Sequence, residues 1–167
     1  MILGMSTAAF TTLHVIISLV GIGSGIVVVL GMCQGARLPG WTALFLITTV
    51  LTSATGFLFH SAAFGPPHII GLISLAILAV AIVALYVKHL AGAARWLYIL
   101  SAIAALWFNA FVGVVQAFQK IPALHALAPT QKELPFFAAQ FVVLAVFVLI
   151  AARALSRFPA RTIRSVV

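Results

Sequence analysis

The sequence predicts an all-α integral membrane bundle. Three observations carry that reading: the composition, the length of the apolar runs and the sidedness of the charges. Of 167 residues, 65% are hydrophobic and 6% are charged, with a mean hydropathy of +1.30. A soluble domain uses about 25% charged residues to cover its surface. A chain this apolar has no such surface, so nearly all of it lies in or beside a bilayer. Its length holds four or five spans of about 20 residues and no separate soluble domain. Residues 1–167 therefore read as one transmembrane bundle.

The first span is read at 8–32, with Thr7 or Ser6 as its cap. The ten residues at the start carry no Lys or Arg, and the apolar run outlasts a cleaved signal segment. Arg37 and the Pro39-Gly40 pair mark a short connection to the second span, 41–60, anchored by Trp41. Pro66 and Pro67 lack N–H donors and suit the first turn of a third helix, 68–87. A basic loop leads to the fourth span, 96–121, anchored by Trp96 and Tyr98. The longest polar connection, 122–135, has room for a short turn at 123–127. The fifth span, 136–155, runs into a tail whose Arg153, Arg157, Arg161 and Arg164 suit anionic lipid.

Nine Lys and Arg oppose one acid, Glu133, for a net charge of +8. In a soluble protein this would suggest nucleic acid. Here the basic residues fall in loops and the tail, so topology accounts for them and no nucleic-acid partner is expected. With the N-terminus outside, seven cations face inward (Arg37, Lys88, Arg95, Arg153, Arg157, Arg161, Arg164) against two outward (Lys120, Lys132). The expected topology is N-out and C-in, with five helices in the inner (cytoplasmic) membrane, or four if one run does not cross. The lone Cys33 can form no internal disulfide.

Polar residues then fall into a pattern. On the fourth span, Ser101, Ala105, Asn109, Gly113, Gln116 and Lys120 follow steps of three and four, which makes one stripe on a helix. An amide in lipid has no water to bond, so Asn109 and Gln116 should face other helices or a wet cavity. His14 shares a face with Ser18, Gly21 and Gly25. Thr49, Thr52, Ser53, Gly56 and His60 form a second small, polar face, and His68, Gly71 and Leu75 a third. Gln140 lies one turn into the fifth span. These residues gather toward the outer side, which predicts a pocket opening outward with His14, Ser18, His60, His68, Asn109, Gln116 and Gln140 on its wall. Asn109 would lie about 18 Å in from residue 121, at 1.5 Å per residue. Ser and Thr also commonly bond their own i−4 carbonyls, and amides commonly join helices, so each of these residues has an architectural reading too.

The functional expectation is binding or passage of a small ligand or ion. No span contains Asp or Glu, which argues against a cation-driven pump. A b-type haem held by His14 and His68, with His60 as alternate, is a second reading. A copper or zinc site on His14, His60 and His68 is another. Nothing in the spacing is diagnostic of haem or of a metal. A structural or accessory subunit is a further alternative, with Gly21 and Gly25 as a small-residue face for a homo-oligomer. No Ser-His-Asp set, Cys pair, acidic metal motif or phosphate loop is present, so an enzyme is not expected.

Overall fold

A computed structural model describes residues 1–59 and 65–159. His60, Arg161 and Arg164 lie outside the described residues. The chain forms α1 (Thr7–Cys33), α2 (Pro39–Gly56), α3 (Pro66–Ile82), a π turn (Val83–Val87), α4 (Ala94–Lys120), α5 (Pro122–Leu127) and α6 (Leu134–Arg157). Ser6 caps α1 by accepting from the Ala9 amide at 3.2 Å. Proline opens α2, α3, α5 and α6 within their first two positions, where its missing N–H has no carbonyl to serve.

Helix α2 is shorter than the expected 41–60. After Gly56 the Phe57 and Leu58 amides turn to carbonyls only three residues back, which tightens and ends the helix. α3 leaves regular geometry through its π turn. His89 and Leu90 then take positive φ, +50° and +62°. Leu90 is nevertheless buried in the core, and its amide donates to the Ala84 carbonyl at 3.0 Å. That burial offsets the cost of the left-handed backbone.

The long helices alternate in direction, and two arginines define one end of the bundle. Arg37, between α1 and α2, donates to the Pro159 carbonyl at 3.1 Å. Arg95, at the start of α4, donates to the Leu155 and Phe158 carbonyls at 3.1 and 2.6 Å. The ends of α1 and α6 and the starts of α2 and α4 therefore meet. Lys88, Arg153 and Arg157 belong to this charged end by sequence position. Its core is apolar and contiguous, built around Met32, Phe45, Leu78, Tyr98, Ile99 and Leu106.

Among the described residues, four helical segments are long and apolar enough to cross a membrane: α1, His68–Val87, α4 and α6. The chain is a multi-pass membrane helical bundle. α2 is not in that set because six of its 18 residues are Thr or Ser. Their hydroxyls are largely placed inside the bundle: Thr42, Thr48, Thr49 and Ser53 are all buried.

Gly21 and Gly25 face inward. A Cβ on Gly25 would lie 2.6 Å from Leu106 Cδ1 and 2.9 Å from the Phe45 ring. One on Gly21 would lie 3.3 Å from the hydroxyls of Thr48 and Thr49. The close approach expected between two copies is thus made within the chain, by α1 against α2 and α4. Both glycines are buried there.

Candidate functional site

Opposite the charged end, four helices part around a cavity of about 700 Å³. α1 supplies Thr11, His14, Ser18 and Ile22, from its start to just past its middle. The C-terminal end of α2 supplies Thr52, Ser53 and Gly56, followed by Phe57 and Phe59. The start of α3 adds His68, Gly71 and Ser74, and the C-terminal half of α4 adds Phe108, Asn109, Gly113, Gln116 and Lys120. The wall is mainly apolar, with a few polar groups, the usual make-up of a small-molecule site. Lys120 is the one charged side chain among the described lining residues.

The stripe on α4 divides at Asn109. Asn109, Gly113, Gln116 and Lys120 line the cavity, whereas Ser101 and Ala105 lie buried in the packed half. Asn109 Nδ2 donates to Thr49 Oγ1 at 3.4 Å. Beyond that level Leu106 and Phe45 close on Gly25. Ser101 bonds only carbonyls of its own helix, those of Leu97 and Tyr98.

His14 is held by α2. Its Nδ1 lies 2.8 Å from Thr55 Oγ1. Thr55 Oγ1 in turn lies 2.6 Å from the Leu51 carbonyl and 3.2 Å from that of Thr52. Two oxygens 2.6 Å apart must share a proton, so the single hydroxyl hydrogen points back into α2. Oγ1 therefore accepts from His14, the ring carries its proton on Nδ1, and the neutral imidazole keeps its lone pair on Nε2. Phe59 stands edge-on to the ring at 5.2 Å and fixes its plane.

His68 has the opposite sense. Its Nδ1 accepts from the Gly65 amide at 3.2 Å, so the neutral ring carries its proton on Nε2. The Phe57 ring lies 5.8 Å from it. A bis-histidine haem takes the Nε2 lone pair of both rings. His14 fits that role and His68, as bonded here, does not. Among the described residues no three His, Cys, Asp or Glu side chains come together; His60, the third member of the expected copper or zinc set, lies outside them.

Five of the expected wall residues thus lie on one cavity: His14, Ser18, His68, Asn109 and Gln116. Gln140 does not. α6 packs on another face of α4, where Gln140 Nε2 donates to the Phe111 carbonyl at 3.2 Å and Oε1 is buried without a partner. Leu75 gives way to Ser74, whose hydroxyl accepts from Ser53 at 3.1 Å. Sequence reading also missed Thr55, the residue that orients His14. The available signal was its step of three from Thr52, which keeps it on the edge of the same α2 face. No family model, curated protein or solved structure matches the chain.

Proposed function

We propose that the protein binds a small amphipathic molecule in this cavity, on the outer side of an inner (cytoplasmic) membrane crossed five times with the N-terminus outside. The observation that carries the reading is a cavity of about 700 Å³ with apolar walls and polar groups from four separate helices. Sites for small molecules commonly span about 300–1,000 Å³ and combine these features. Lys120, without an acid on the described wall, favours a neutral or anionic occupant over a cation. The packed half below Asn109 suits a blind pocket better than a pore. The charge asymmetry supports the orientation. Among the described residues Arg37, Lys88, Arg95, Arg153 and Arg157 belong to the end away from the cavity.

The test is extraction of the protein purified in nanodiscs, followed by mass spectrometry. A molecule recovered near one equivalent from wild type and lost from Gly113→Phe, which fills the cavity, supports binding. Equal recovery from both, or no bound molecule and no thermal shift with any of a panel of amphiphiles, overturns it in favour of a structural subunit.

A further inference from the structure

We infer that the occupant carries a hydrogen-bond-donating hydroxyl, as an alcohol, phenol or quinol does, and that His14 Nε2 accepts it. This rests on the cavity being a binding site, and it names the chemistry of the occupant's polar end.

The Thr55 hydrogen is committed to the Leu51 carbonyl at 2.6 Å, so Thr55 can only accept from His14 Nδ1. With Nδ1 a donor, neutral His14 has one remaining polar atom, Nε2, and it is an acceptor. Among the described residues no group bonds Nε2, yet the ring lies on the cavity wall. A basic nitrogen of this kind in an apolar chamber discriminates by hydrogen bonding. A ligand that donates satisfies it, whereas an ether or ketone of the same shape leaves two acceptors facing each other.

The surroundings favour an aromatic or alkyl body behind that hydroxyl. Phe57, Phe59 and Phe108 line the same chamber with Val15, Leu19 and Val112. Thr55 is thereby a positioning residue. It touches no ligand, but it decides which nitrogen of His14 faces the occupant as an acceptor.

The experiment compares 4-octylphenol with 4-octylanisole, its methyl ether, by calorimetry on wild-type protein in nanodiscs at neutral pH. The phenol should bind about tenfold tighter, the effect of one satisfied against one unsatisfied buried acceptor. His14→Phe should remove the preference for the phenol over the ether. Thr55→Val, which spares the ring but frees its tautomer, should reduce the preference to about threefold or less. Equal binding of phenol and ether to wild type overturns the inference and leaves the cavity as a binding site. Binding of neither probe overturns both. Retention of the full preference in a folded Thr55→Val protein overturns the assigned proton arrangement.

Discussion

Asn109 Nδ2 lies 3.4 Å from Thr49 Oγ1 and joins α4 to α2 at the depth where the cavity ends. The contact is long and weak as a hydrogen bond, but both groups are withdrawn from lipid. An amide at this depth with no partner would cost free energy, and here it has one. Asn109→Leu should therefore lower stability by about 0.5–1.5 kcal/mol, the range for hydrogen bonds between membrane helices. Ser101→Ala removes only a bond within its own helix and should change stability by under about 0.5 kcal/mol. Reversible unfolding of both variants in mixed micelles compares them; equal losses would mean that Asn109 serves packing alone.

Gly25 sits where α1 closes on α2 and α4. A methyl group there meets Leu106 and Phe45 at 2.6–2.9 Å, so Gly25→Ala should cost about 1–3 kcal/mol by overpacking. Gly23, two residues earlier, has nothing within 4 Å of its Cβ position. Gly23→Ala should be neutral or stabilising by up to about 1 kcal/mol, since alanine is the better helix former. Melting temperatures of the two single variants check the contrast.

The C-terminus of α6 is closed by arginine rather than by a glycine cap. Arg95 spans the last carbonyls at Leu155 and Phe158, and Arg37 reaches Pro159 while lying 5.8 Å from the Phe158 ring. Cations at a helix C-terminus also complement its dipole. Arg95→Ala should expose residues 152–158 to amide exchange at least tenfold faster, equivalent to about 1.4 kcal/mol of lost protection. Arg37→Ala, with one exposed bond, should show a smaller change at the same amides.

Glu133 gives the connection between α4 and α6 an acid-sensitive point. Burial pushes its carboxyl up, but the Thr130 hydroxyl and the amides of Thr130, Glu133 and Lys132 outweigh that and hold it below the usual 4.5. The donors lie at 2.8 Å (Thr130 Oγ1), 3.2 Å (Thr130 N) and 3.0 Å (Lys132 N). A depressed carboxyl stabilises the fold above its unfolded value, and that contribution disappears as pH falls through the folded one. Exchange protection around 130–134 should thus fall below about pH 4.5 in wild type. In Glu133→Gln it should be lower at neutral pH and flat across the same range.

Topology has its own test. If α2 crosses, a reporter placed after Arg37 reads cytoplasmic and one placed after Lys120 reads external. A cytoplasmic signal at both positions would leave α2 uncrossed and overturn the five-span, C-in arrangement.

Much of this was legible beforehand because membrane helices obey simple periodicity. Steps of three and four put Asn109, Gly113, Gln116 and Lys120 on one line, and that line does face the cavity. The end of α2 was not legible. Nothing in 41–60 marks Gly56 as the last helical residue, and the change there is a small one, from bonds four residues back to bonds three back. Gln140 was misplaced for a different reason: its position on α6 says nothing about which side of α4 that helix takes. Gly21 and Gly25 announced a close approach without saying to what.

The sequence alone determined that this is a membrane bundle, where its long helices broadly run (the end of α2 excepted) and which end carries the charge, because hydropathy, length and helical period are local properties. Only the tertiary structure decided that the glycines pack inward, that Gln140 leaves the cavity, and that Thr55 fixes the proton on His14. Those outcomes depend on which helices are neighbours and at what depth they meet. A proton's position depends further on a chain of contacts, from His14 through Thr55 to Leu51, that crosses between two helices and has no counterpart in the order of residues.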